Sequence, residues 1–114
     1  MAARFARSDP SRRTFDGIVF DSIKEAKRYA ELKLLERAGE IRGLERQPIF
    51  PVKIKGKPFC TYKADFAYRR GSWKNPILVI EDVKSTGTAK DASYRLRKKA
   101  AELYYGIKIT EVLA

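Results

Sequence analysis

The chain has 114 residues, 25 of them Lys or Arg against 14 Asp or Glu, for a formal net charge of +11. That length suits one domain with one modest core, and the excess charge favours a polyanionic partner, most simply nucleic acid. With no histidine and a single cysteine, histidine-based triads and the usual tetrahedral zinc sites are excluded. Any metal would be held by carboxylates, which select hard cations such as Mg²⁺.

No stretch nears the ~20 apolar residues of a membrane helix, and MAARFARSDPSRR lacks the apolar run of a secretory signal. A reducing, cytoplasmic setting is expected, with no membrane partner and with Cys60 as a small core residue.

In chain order, residues 1–14 read as a flexible basic arm carrying Arg4, Arg7, Arg12 and Arg13, either a solvated tail or a phosphate grip. Residues 15–114 form the single domain. FDGIVF holds an Asp-Gly turn. A helix follows from DSIKEAKRYAELKLLERAGE: Ser22 is the N-cap, Glu25 stands at capping-box spacing, and Gly39 ends it. Ile23, Ala26, Ala30 and Leu34 recur at helical spacing.

Residues 41–55 read as extended but irregular, broken by Pro48 and Pro51. KIKGKPF turns at Gly56 into one alternating strand, FCTYKADFAY. Its Cys60, Tyr62, Ala64, Phe66 and Tyr68 share one face, and Thr61, Lys63, Asp65 and Ala67 the other. After the turn RRGSWKNP comes ILVIEDVK, an apolar run suited to a central strand. The polar loop STGTAKD, which includes Lys90, leads to a second helix over 91–104. Ala92, Leu96, Ala100 and Leu103 line one side of it; Arg95, Arg97, Lys98 and Lys99 line another. Gly106 stops this helix, and IKITEV makes a last strand. The expected class is α/β, a mixed sheet flanked by helices in the order αβββαβ.

The charged end of ILVIEDVK is the feature that needs a reason. Asp82 and Lys84 lie two apart and so share a strand face. Antiparallel pairing brings Asp65 beside Asp82. Two adjacent carboxylates repel unless a cation lies between them, and Lys84 could orient an attacking water or stabilise developing charge. Glu81 faces the other way on a regular strand, whereas a bulge would exchange it with Asp82.

An aspartate, a turn and (D/E)-x-K on the next strand, here Asp65 and Asp82-Val83-Lys84, resemble the PD-(D/E)XK nuclease superfamily, whose restriction-endonuclease-like core has the same αβββαβ order. Ala64 stands where the motif has proline. FDGIVFDSIKEAKRYAEL, LERQPIFPV, YKADFAY and IEDVKS are further similar to a phage-encoded branch that resembles Holliday-junction resolvases. The resemblance implies a homodimeric, Mg²⁺-dependent endonuclease (Mn²⁺ substituting) that nicks four-way DNA junctions in pairs, in the host cytoplasm if phage-encoded. It implies metal held by Asp65, Asp82 and Glu25, with Glu81 as the alternative to Asp82, and a catalytic Lys84. The alternative for Glu25 is that it only caps its own helix, though the two roles can coexist. Gln47 could hold water or phosphate near the site, or be a plain strand-edge glutamine. Lys63, Lys90, Arg95, Lys98 and Lys99 are candidate DNA contacts or ordinary solvated charge. Trp73 and the pair Tyr104-Tyr105 read as core or rim packing, with base stacking or a dimer interface as the alternative. A non-catalytic nucleic-acid-binding module and a nuclease of duplex or flapped DNA remain the other readings.

Overall fold

The computed structural model describes residues 9–84 and 92–113. Arg4, Arg7 and Lys90 lie outside the described residues. Pro10–Arg13 form one 3₁₀ turn, capped by Asp9, whose side chain accepts from Ser11 N. Strands β1 (Thr14–Phe15) and β2 (Ile18–Val19) pair through the Asp-Gly turn. Then come α1 (Ile23–Arg37), β3 (Ile41–Arg46), β4 (Ile49–Ile54), β5 (Lys57–Lys63), β6 (Phe66–Arg70), β7 (Ile77–Lys84), α2 (Ala92–Tyr105) and β8 (Ile109–Leu113).

The main sheet has the order β3-β6-β7-β8, antiparallel except for the parallel β7–β8 pair that α2 connects. Stripped of its two hairpins, the chain runs α1, β3, β6, β7, α2, β8, the order and mixed α/β class expected from sequence. Ser22 caps α1 by accepting from Glu25 N at 3.0 Å. The β4–β5 hairpin turns at Lys55 and Gly56, both at positive φ, the geometry of a tight primed turn.

Alternation along β6 and β7 divides the core in two. Phe66 and Tyr68, with Val79 and Val83, pack against Phe20, Ala26, Tyr29 and Leu32 on the α1 side. Ala67 and Ile80 pack with Val52, Tyr62, Ala101 and Ile109 on the side of α2 and the β4–β5 hairpin.

Three expectations are corrected. The stretch FCTYKADFAY is two strands, interrupted at Ala64-Asp65. Tyr62 and Phe66 therefore serve different cores and do not form one aromatic row. The break is fixed by tertiary hydrogen bonds: Ala64 N donates to Pro48 O at 3.1 Å and Gln47 N to Asp65 O at 2.9 Å. Second, Arg13 is not part of a loose arm. It is buried and donates from Nη1 to Phe20 O at 3.0 Å, so the fold includes residues before 15. Third, the apolar side assigned to α2 is core only in part: Ala100 packs against the cluster on that face of the sheet, and the bulky leucines do not. Leu96 and Leu103 are 56% and 72% exposed, and Ala101 is the buried residue of this helix.

Candidate active site

The register of the β6–β7 pair sets Phe66 opposite Glu81. One step beyond, Asp65 and Asp82 meet at the end of the ladder. Asp65 N donates to Glu81 O at 3.0 Å and to Asp82 Oδ1 at 3.2 Å, and Val83 N donates to Asp65 Oδ2 at 2.7 Å. Each aspartate is thus held by an amide of the other's segment, which fixes both carboxylates on rigid backbone.

Asp82 turns toward the α2 side of the sheet. Its Oδ2 accepts from the Tyr62 hydroxyl and, at 3.1 Å, from the Tyr94 hydroxyl. Lys84 Nζ stands 3.9 Å from the same oxygen and 3.6 Å from the centre of the Tyr94 ring. The Tyr94 hydroxyl also lies 2.9 Å from Glu111 Oε2, an alternative acceptor for its single proton, and Lys98 Nζ pairs with that oxygen at 3.3 Å. Burial raises the pKa of both Asp65 and Asp82 above the usual carboxylate range, against the lowering influence of Lys84.

Glu81 turns to the other face. Arg28 of α1 donates to it twice, Nε to Oε1 at 2.9 Å and Nη2 to Oε2 at 2.7 Å, and the Tyr68 hydroxyl adds a third bond. The strand is regular here, and all of these partners are structural. Glu81 is a satisfied buried ion pair, so the bulge that would have exchanged it with Asp82 is absent.

Glu25, in the first turn of α1, is 5% exposed, and its Oε2 has no hydrogen-bond partner among the described residues. Burial, then the negative charges of Asp65 and Asp21, push its carboxyl up to about 7; Arg46 opposes this and Asp82 adds to it. The buried Nε of Arg46 also lacks a partner. Gln47, beside it, has φ 51 outside any primed hairpin turn and gives its amide to Asp65 O. Strained backbone of this kind costs ~1–3 kcal/mol and concentrates at functional sites.

The donor set suits a hard cation: Glu25 lies in the field of Asp65 and Asp82 and has a buried oxygen without a partner among the described residues. It is not a finished cage. Among the described residues no three Asp, Glu or Cys side chains are grouped closely enough to hold a metal, and Asp82 is engaged by tyrosine hydroxyls.

The remaining sequence candidates lie apart or near as follows. Lys63 is exposed and its charge reaches Asp65. It borders a groove with Thr61, Tyr62, Ser93, Tyr94 and Arg97, next to Asp82. Arg12, Arg95 and Lys99 are exposed, while Lys98 is tied to Glu111. Tyr62, Tyr94 and Arg46 were missed in sequence reasoning. Only the position of Arg46, beside Gln47, offered a signal. Tyr94 reaches Asp82 from α2, a tertiary meeting that no spacing rule encodes.

The chain belongs to a family described as Protein of unknown function (DUF1064), whose model matches residues 9–113. No curated protein and no solved structure matches it. No helix among the described residues is long and apolar enough to cross a membrane.

Proposed function

We propose that this member of the DUF1064 family is a metal-dependent DNA endonuclease, with four-way junctions as its preferred substrate. One observation carries the reading: Asp65 and Asp82 are tied to each other's backbone with Lys84 beside them, and the buried Glu25, whose carboxyl feels the charge of both, keeps an oxygen without a hydrogen-bond partner among the described residues. A structural role alone leaves the unpartnered Glu25 oxygen unexplained. Buried carboxylates in a protein that merely bound DNA would repel phosphate, and Glu81 demonstrates how this fold satisfies an acid used for structure.

Asp65 and Asp82, with Glu25, would hold Mg²⁺ or Mn²⁺. When bound, the cation offers charge stabilisation at the phosphate and a more acidic water. Lys84, its ammonium kept near Asp82 by the Tyr94 ring, orients the water for in-line attack on phosphorus. The P–O bond to the 3′ oxygen or the 5′ oxygen breaks; the superfamily resemblance implies the cut that leaves 5′-phosphate and 3′-hydroxyl. Arg46, whose charge acts on Glu25, and Lys63, whose charge acts on Asp65, would offer positive charge to the phosphate.

Paired cuts need two such sites, and one chain carries one. A symmetric homodimer meets that need. Its natural contact is the exposed apolar surface of α2 and the β4–β5 hairpin, where Ile54, Phe59, Leu96, Leu103 and Tyr104 border a groove of about 380 Å³.

The test is cleavage of a labelled four-way junction beside linear duplex and flap controls, in Mg²⁺, Mn²⁺ and EDTA, with wild type and Asp82→Asn. Symmetric nicks in the junction, absent in the variant and in EDTA, are expected. Equal cutting of all substrates would remove the junction preference. Tight binding with no cutting in either metal would favour a non-catalytic nucleic-acid module and overturn the nuclease.

A further inference from the structure

The β6–β7 turn carries a second feature at the opposite end of these strands from Asp65 and Asp82. Five residue steps of β7 separate Ile77 from Asp82, about 17 Å of strand. Trp73, at this turn, is 83% exposed. Single exposed apolar residues are common on protein surfaces; the support beneath this one is not. The Arg42 guanidinium of β3 lies 4.1 Å from the indole centre. Arg42 is itself pinned, donating from Nη1 to Gly71 O at 2.9 Å and from Nη2 to Ser72 O at 3.0 Å. The turn is braced by Asn75 N donating to Ser72 Oγ at 3.0 Å. At Gly71, φ 86, an added Cβ would come within 3.3 Å of Asn75 O. An indole is thus laid on a fixed cation, and its exposed surface meets solvent.

The surroundings are cationic. Arg69, Arg70 and Lys74 are exposed, and residues 69–76 contain no acid. Glu40, just ahead of β3, is the acid nearest in sequence to the strand end that meets Arg70. A flat, pre-positioned aromatic ring among cations is what an unpaired nucleobase and its phosphates recognise: the base stacks, the backbone meets the charges. It suits a paired duplex poorly, because stacked bases do not offer their faces.

We propose that Trp73 and Arg42 form a stacking platform for an unpaired base of single-stranded nucleic acid, a binding site separate from the candidate active site. It does not depend on cleavage. Ring stacking supplies affinity with little sequence preference, and Arg69, Arg70 and Lys74 supply the salt-dependent share.

Trp73 is the single tryptophan of the chain, so the test can be read at the site itself. The full chain, in EDTA, is titrated with a single-stranded oligothymidylate, a blunt duplex of equal length, and heparin, a polyanion without bases. Intrinsic emission and fluorescence anisotropy of labelled probes are followed together. The expected result is saturable quenching by the oligothymidylate, and binding of heparin with emission unchanged. Trp73→Ala should weaken oligothymidylate binding about 5- to 100-fold and leave heparin affinity unaltered. Trp73→Phe should keep most of the affinity. Oligothymidylate bound with unchanged Trp73 emission, or bound equally by Trp73→Ala, would overturn the platform, as would a failure to bind any oligonucleotide. Quenching that persists in a protein found to cut nothing would sustain the platform while the nuclease reading fell.

Discussion

Glu81 and Asp82 are adjacent in the chain, both buried, and committed to opposite faces of β7: Glu81 to Arg28 and Tyr68 of the α1 side, Asp82 to Tyr62, Tyr94 and Lys84 of the α2 side. The two acids therefore respond to mutation in opposite ways. Glu81→Ala leaves a cavity and removes the charge-assisted bonds of Arg28, which keeps only Glu31 as an ion partner among the described residues, at a cost of about 2–3 kcal/mol. Its chemical-denaturation midpoint should drop sharply. Asp82→Asn removes a carboxylate with a raised proton affinity; it should fold with near wild-type stability and lose cleavage by more than a hundredfold. If Glu81→Ala were stable and dead while Asp82→Asn cut DNA, the site would have been assigned to the wrong face.

Glu25 makes the site pH-sensitive. Its carboxyl has a folded-state pKa of about 7 against an ordinary 4.5, so the folded protein retains a proton that the unfolded chain releases between those values. Stability from this group is full below 4.5, declines as pH rises to about 7, and stays lost above it. The whole effect is about 3 kcal/mol. Glu25→Gln abolishes the titration. Its melting temperature should match wild type near pH 4.5 and exceed it by several degrees at pH 8. Mg²⁺ favours the ionised carboxylate, so it should raise the wild-type midpoint more at pH 8 than at pH 5.5. A difference between the two proteins that did not vary with pH would exclude the titrating Glu25.

How much of this was readable in the chain depends on whether a local rule or a tertiary contact decides each feature. Helix α1 was legible because Ser22, the apolar spacing and Gly39 all act within the segment. The pairing of Asp65 with Asp82 was legible because strand parity and a short turn determine it. The break at Ala64-Asp65 was not. The apolar alternation runs unbroken through it, and the interruption comes from Pro48 and Gln47, distant partners that capture the backbone of Ala64 and Asp65. The phase of α2 was misread for a related reason. Its bulky leucines are periodic, yet Tyr94, Ala100 and the fully buried Ala101 are what pack on the sheet, and Leu96 and Leu103 remain outside. Trp73 defied the expectation of rim packing because Arg42 supports it from a strand whose neighbour is set by the sheet order.

Tyr94 and Lys84 meet ring to ammonium, and they should separate in kinetics. The Tyr94 hydroxyl lies between Asp82 Oδ2 and Glu111 Oε2 but has only one proton to give. Tyr94→Phe retains the ring under Lys84. It should cost about 1 kcal/mol of stability and slow cleavage less than tenfold. Lys84→Ala removes the group that orients the water, and single-turnover cleavage should fall about 10²- to 10⁴-fold with DNA affinity nearly unchanged. Equal losses in the two variants would mean that Lys84 acts only through packing.

The exposure of Leu96 and Leu103 makes the dimer testable without disturbing the fold. Both side chains stand out from α2, and little of the monomer's core depends on them. Leu103→Asp should therefore cost the monomer only about 1 kcal/mol, from the lower helix propensity of Asp and its charge near the C-terminal end of α2. At a twofold contact the same change buries a carboxylate from each copy against apolar partners, which is costly without pairing. Sedimentation velocity should find wild type as a dimer and Leu103→Asp as a monomer with unaltered circular dichroism. With the junction substrate, the monomer should still nick single strands but lose the paired cuts, since each nick needs one site and coordinated nicks need two. Wild type that sediments as a monomer at every concentration, yet cuts in pairs, would place the second site elsewhere than across this surface.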